Sequence, residues 1–449
     1  DENLSIAKNL LGITYDVMGD NDQAMEIYLE NLKKAEDIGD MVSIGRSLIN
    51  IGNIENKKGG SEIALDNYTR SLKIFEEISD NHRMGIALIN IGIIYFEKGD
   101  YELALDYYTR SLKLAEELGN KSRIASNLIR IGGVYWYKDF DYELALDYYT
   151  RSLKIFEDIG DKNSMGKNLM VIGDYYAQKG DLEKALEYYN RSLHIREELG
   201  DKRLMAHSLY YIGLTYYTLD EYDKALVYYN RSLKIYEELG DKHAIGFNLQ
   251  IIGESYWNKG NYDKVLEYYA LSLQIREELG EKRRMGNFLS NIGWTYYEIG
   301  DYDKALDYYN RSLKIYEELG WENISNQINN IGLVYYQQED YNKAIEYLDK
   351  SAIMQMELDS TITLETLSHL FLSKKMLGKE YNVAEIHTLI KEQEEIEYYI
   401  NFALFKLLED TSYLETAYNQ VQEKADNLEP DLVAKFLSYP IPKAIVEEW

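Results

Sequence analysis

The stretch IGIIYFEKGDYELALDYYTRSLKLAEELGN, running from Ile91 to Asn120, decides the fold because nearly the same words recur about every forty residues. Its leading glycine, Gly92, has counterparts at Gly12, Gly52, Gly132, Gly173, Gly213, Gly253, Gly293 and Gly332, so the period holds across nine copies. Repetition on this scale marks a solenoid, in which each copy is one supersecondary unit that buries its apolar face against its neighbours. A second series, including Gly59, Gly99, Gly180, Gly260 and Gly300, divides each copy in half. Most of these glycines precede Asp or Asn, as in Gly99-Asp100, Gly160-Asp161 and Gly260-Asn261. Glycine closes a helix in the left-handed conformation, and the following Asp or Asn caps the next one. Each copy therefore reads helix, tight turn, helix.

In the first helix of a copy, small or apolar residues recur at Gly85, Leu88, Gly92 and Tyr95, and in the second at Ala104, Tyr108, Ser111 and Leu112. That spacing gives each helix one buried face, with small residues letting the pair approach and tyrosines filling the space between copies. The opposite face of the second helix carries an acid four residues before an arginine, at Asp66 and Arg70, Asp106 and Arg110, Glu187 and Arg191, and Asp307 and Arg311. Each such pair contributes only about 0.2 to 0.5 kcal/mol, so these charges read as a solvated face.

The series Leu209, Ile212, Gly213, Tyr216, Ala225, Tyr229 and Ser232 resembles the tetratricopeptide repeat (TPR) pattern. Serine stands where that family usually has alanine, and the closing proline is absent, giving a unit longer than the usual 34 residues. The longer form is similar to the repeats of Leu-Gly-Asn-repeat G-protein-signalling modulators, kinesin light chains and bacterial TPR signalling proteins. The resemblance implies an all-α, right-handed α-solenoid of antiparallel helix pairs. Nine repeats are expected over residues 1–359, with a degenerate tenth repeat and capping helices over 360–429. Residues 430–449 read as a tail, either a linker to a following domain or a strap packed on the cap, because Pro440 and Pro442 bracket Ile441 and would break a helix.

Composition bounds the function classes. The net charge of -28 over 449 residues disfavours nucleic acid, whose nonspecific binding depends on Lys and Arg neutralising phosphates. Without cysteine there is neither a disulfide nor a thiolate metal site, and the cytoplasm is the expected compartment. No apolar run approaches the roughly 18 residues of a membrane span, so direct membrane contact is not expected. The six histidines are scattered without metal spacing, and no nucleophile elbow or phosphate-binding glycine loop occurs. Neither a catalytic centre nor a cofactor or metal is expected.

One helical step around from the core stripe lies a row that resembles the groove-facing row of TPR domains, and it is apolar. It includes Ile49, Ile89, Ile129, Met170 and Tyr210, then Ile93, Leu214, Trp294 and Leu333, then Phe96, Trp136, Tyr176, Tyr217, Trp257, Tyr297 and Tyr336. These side chains either pack against the neighbouring repeat or line a groove for a protein or peptide, with an amphipathic helix the first choice of occupant. Arg46 and Asn53 match the arginine and asparagine of the Leu-Gly-Asn-type groove, and Asn287, Asn291, Asn326, Asn329 and Asn330 supply polar variation toward the back. The expected role is a non-enzymatic scaffold. The alternatives are a sensor or autoinhibitory module of a larger bacterial signalling protein, suggested by a chain that opens on Asp1, and a self-assembling protein forming homo-oligomers.

Overall fold

The computed structural model describes residues 2–138, 141–321, 324–357 and 362–449, with side chains from Lys8 onward. The expected boundary between 359 and 360 lies outside the described residues. The chain divides into two compact units, Asp1–Asp201 and Lys202–Trp449. The first holds α1 (Glu2–Val17), α2 (Asn21–Ile38), α3 (Met41–Lys57), α4 (Ser61–Glu77), α5 (Asn81–Glu97), α6 (Tyr101–Glu117), α7 (Lys121–Lys138), α8 (Tyr142–Ile159), α9 (Lys162–Gln178) and α10 (Leu182–Leu199). The second holds α11 (Lys202–Thr218), α12 (Tyr222–Leu239), α13 (Lys242–Asn258), α14 (Tyr262–Glu278), α15 (Lys282–Ile299), α16 (Tyr302–Glu318), α17 (Ser325–Gln337) and α18 (Tyr341–Glu357). It continues through α19 (Leu364–Met376), α20 (Val383–Lys391), α21 (Tyr398–Leu408), α22 (Thr411–Asp426), α23 (Pro430–Leu437) and α24 (Pro440–Glu448). Within each unit the repeats are helix pairs, α1 with α2, α3 with α4 and so on, and each pair packs on the next. Each unit is thus an all-α solenoid of helix pairs.

The turn chemistry explains the pairing. Gly99 takes φ 78°, its N–H and that of Asp100 bond back to the carbonyls of Phe96 and Tyr95, and the Asp100 carboxylate accepts from the N–H of Leu103 at 3.3 Å. One Gly-Asp step therefore ends one helix and starts the next.

Two contacts then hold the pair. In the first eight repeats the repeat glycine of the first helix faces the ring of a tyrosine on the second, as Gly173 faces Tyr189, where an added Cβ would collide with the ring; in the ninth, Gly332 faces Leu348. The serine that departs from the family pattern donates its hydroxyl across the pair to a main-chain carbonyl, Ser71 to Gly45, Ser192 to Gly166 and Ser312 to Gly286, each at 2.8 Å and buried. Alanine could not make this bond, whose net worth is about 0.5 to 1.5 kcal/mol per repeat.

The outer charges do more than face solvent. Tyr95 stacks on Tyr107 at 5.6 Å, and the stack recurs at Tyr135 with Tyr148, Tyr216 with Tyr228 and Tyr296 with Tyr308. The repeat arginines lie over these rings, Arg110 at 5.2 Å from the Tyr107 centroid and Arg311 at 4.9 Å from that of Tyr308. An exposed cation–π contact is worth about 0.5 to 1 kcal/mol, more than the acid–arginine pair on the same face.

At the far end, the prolines begin helices instead of breaking them. Pro430 opens α23, and Pro440 opens α24 with Pro442 still inside its first turn. There the missing N–H has no intrahelical acceptor to lose. The segment folds back onto the seventh and eighth repeats: Leu428 fills the space beside Gly260, Pro440 that beside Gly300, and Tyr439 stacks on Tyr262 at 5.3 Å. Lys259 pairs with Glu429 at 2.5 Å, and Lys435 pairs with Asp263.

Candidate functional site

In the first unit, the expected groove residues serve mainly as packing. Ile49 and Met170 are buried, and Ile89, Ile93 and Ile129 are half-buried. Phe96 meets Tyr101 and Tyr137 edge-on at 5.4 and 5.5 Å, and Trp136 meets Tyr142 at 5.0 Å and Tyr175 at 6.2 Å. Arg46 is half-buried, while Asn53 accepts from the Tyr68 hydroxyl at 2.8 Å and from Asn90 at 3.3 Å. Tyr176 does not belong to the row. It stacks on Tyr188 at 5.4 Å, with the Lys184 ammonium over its ring, and Ala177 takes the register that Phe96 and Trp136 occupy in earlier repeats.

In the second unit, the row separates into packed and open members. Tyr297 is buried and its hydroxyl accepts from Gln337 at 3.0 Å, Leu333 is buried, and Tyr336 meets His369 edge-on at 5.2 Å. Tyr210 lies 5.5 Å from Phe247, and Leu214 is half-buried. Trp257 and Trp294 converge with Tyr217 on a cleft of about 320 Å³ that Glu254, Asn258, Tyr269 and Asn291 also line. A second cleft of about 510 Å³ shares Asn291 and Trp294 with the first and continues over Gln250, Asn287, Ser290, Asn326, Gln327, Asn329 and Asn330 to Glu365 and Tyr399. Successive first helices α13, α15 and α17 supply these amides, so the repeat period itself spaces them along the cleft.

Their hydrogen bonding distinguishes them. Asn329 is spent on the fold, donating to Glu365 at 2.9 Å and accepting from Thr366 at 2.8 Å. Asn287 accepts from the Tyr316 hydroxyl. Asn291, Asn326 and Asn330 make no side-chain hydrogen bond to any described residue.

The position just after the repeat glycine carries the acids that sequence reasoning missed. Asp174 and Asn53 there accept from Tyr189, at 2.7 Å, and Tyr68, whereas beside Leu214 and Trp294 the Tyr229 and Tyr309 hydroxyls are buried with no partner among the described residues. Burial pushes the Asp174 carboxyl up to about 6. At the same position Glu254 accepts from Gln250 at 2.8 Å, and burial pushes its carboxyl up as well. The irregular run Asn53, Ile93, Gly133, Asp174, Leu214, Glu254, Trp294 was the available signal, since a scaffold position would have held one residue type. Glu365 and Tyr399 come from beyond the repeats, where the period gives no register.

Burial also raises the Glu298 carboxyl, which takes a 2.9 Å bond from the Tyr398 hydroxyl, and outweighs the Lys424 ammonium nearby. A carboxyl raised on folding stabilises below its unfolded value of about 4.5 and loses that contribution as pH rises through the folded value. E298Q should therefore match the parent near pH 4 and melt progressively higher than the parent toward pH 8. Calorimetry across pH checks this, and a pH-independent difference would contradict it.

The tetratricopeptide repeat pattern matches residues 43–117, 83–158, 122–198, 164–238 and 247–318, and a second pattern of the same description matches 328–352. The chain belongs to the tetratricopeptide repeat family. It is a protein-interaction or regulatory module, built on a fold that is typically non-catalytic. No curated protein matches it in sequence. Among solved structures, it resembles a signal transduction ATPase with numerous domains carrying a tetratricopeptide repeat sensor, from Pyrococcus horikoshii. That match has a TM-score of 0.57 and 19% identity and covers 74% of this TPR chain and 52% of the other. The apo quorum sensor NprR from B. thuringiensis matches with a TM-score of 0.51 and 14% identity, over 79% of this chain and 99% of the other. BtubC (BKLC) from P. vanneervenii matches with a TM-score of 0.43 and 22% identity, over 49% and 93%. At these identities the likeness is one of fold. No described helix of the TPR chain is long and apolar enough to cross a membrane.

Proposed function

We propose that this TPR chain is a non-enzymatic adaptor whose second unit holds an extended peptide segment of a partner protein along the asparagine-lined cleft. The observation that carries this reading is the set Asn291, Asn326 and Asn330, three side-chain amides facing one cleft with no bond to a described residue. A carboxamide offers both a donor and an acceptor, which matches the unpaired N–H and C=O of an extended backbone. An amphipathic helix is the poorer occupant, because its backbone is already satisfied and it seeks an apolar wall. The apolar row of the first unit is largely taken up in packing, as Ile49 and Met170 show.

The test is selection of displayed, otherwise random 12-residue peptides on the parent protein, followed by titration on the N291A/N330A variant. Loss of about tenfold or more in affinity is expected, since each lost bond is worth about 1 kcal/mol. Peptides that bind both proteins equally would overturn the proposal.

A further inference from the structure

The smaller cleft beside the asparagines is walled by Trp257, Trp294, Tyr217 and Tyr269, with the Glu254 carboxylate among them. Among the described residues, no lysine, arginine or histidine lines it. Several other buried or half-buried carboxylates of this unit are more fully held, among them Glu281 by Arg276, Asp241 by Arg203, and Glu298 by Tyr398 with Lys424 nearby. Glu254 has one neutral amide, that of Gln250. A carboxylate withdrawn from water without a counter-charge is costly, and the group is not demanded by the fold, which accepts Leu214 and Trp294 at the same repeat position. Aromatic faces attract a cation through their quadrupole, and tryptophan does so most strongly.

We propose that this aromatic and carboxylate box receives the basic side chain of the bound peptide, an arginine guanidinium or lysine ammonium, with Glu254 as its counter-ion. The assignment rests on the peptide reading above, because Asn291 and Trp294 line both clefts and so place the box beside the path of the backbone. The chain's net charge of -28 draws basic segments toward it from a distance. The box accordingly fixes register: one basic residue sits in it, and the amides read the main chain on either side.

The test uses acetylated and amidated peptide pools, random except for one central residue, which is arginine in one pool and its neutral isostere citrulline in the other. The arginine pool should bind the parent protein about tenfold or more tightly than the citrulline pool, and the preference should vanish in E254Q and shrink in W257L. Circular dichroism establishes that both variants are folded. Equal binding of the two pools by the parent overturns the box while leaving the peptide reading intact. Saturable binding of N-acetyl-arginine amide, lost in E254Q, with no binding of any peptide pool would sink the peptide reading and keep the box. Tetramethylammonium chloride serves as the free-cation probe. If it binds more tightly than the arginine pool, the ligand is a free cation and the assignment to a peptide side chain is wrong.

Discussion

Replacing Glu281 by alanine is expected to cost about 3 to 5 kcal/mol, because it strands a cation inside the protein. The Arg276 side chain is fully buried, and its Nη1 donates to Glu281 at 2.6 Å, while Nε and Nη2 have no hydrogen-bond partner among the described residues. Partial burial would raise the Glu281 carboxyl, but Arg276, with Arg284 and His243, holds it below the usual range. The converse replacement, R276F, should be close to neutral, because it removes the buried cation and leaves Glu281 partly exposed beside Arg284 and His243. The chain itself supplies the precedent. Arg276 lies over Gly246, and at the same place in the second repeat Phe75 lies over Gly45. R276F/E281A should then be close to R276F alone. Urea unfolding of the three variants checks the scheme, and a loss in R276F as large as in E281A would refute it.

How much of this could be read in advance depended on whether the repeat carried the information. The Gly-Asp turns, the glycine facing a tyrosine and the buried serine recur in copy after copy, so their periodicity shows in the sequence before any contact is known. The groove was legible only in part. Tyr176 was placed a residue out of register because Tyr175 and Tyr176 are adjacent and Ala177 interrupts the aromatic series. Arg110 and its counterparts read as solvated charges because a ring three residues earlier on the same helix is indistinguishable, in sequence, from any other surface neighbour. The amides Asn291, Asn326 and Asn330 were legible as variation on the first helices, whereas Glu365 and Tyr399, which close the same cleft, were not. Their positions follow from the return of α19–α24 onto repeats that lie far back in the chain, as Tyr398 on Glu298 and Leu428 beside Gly260 illustrate. Such contacts have no period.

The glycine and tyrosine pair makes the sharpest claim about the scaffold, and G253A is expected to destabilise even though alanine is the better helix former. The gain in helix propensity is about 1 kcal/mol. Against it, a Cβ on Gly253 would lie 2.6 Å from Tyr269 Cε1 and 2.7 Å from Cδ1, closer than side-chain carbons approach. Overpacking of this kind costs about 1 to 3 kcal/mol, and Tyr269 is buried and cannot simply swing aside. Y269A alone should lose about 3 to 5 kcal/mol, the usual range for emptying a large aromatic site. In the double variant the new methyl enters the space the ring has left, and the propensity gain is recovered. The double variant should therefore be at least about 1 kcal/mol more stable than the sum of the single losses implies. Equilibrium unfolding of the four proteins measures that coupling. Additive losses would mean that the glycine does not owe its place to the ring. The coupling also bears on binding, since Glu254 follows Gly253 directly and Tyr269 lines the same cleft. The fit that permits the helix pair to close thus also positions the carboxylate proposed to receive the ligand's charge.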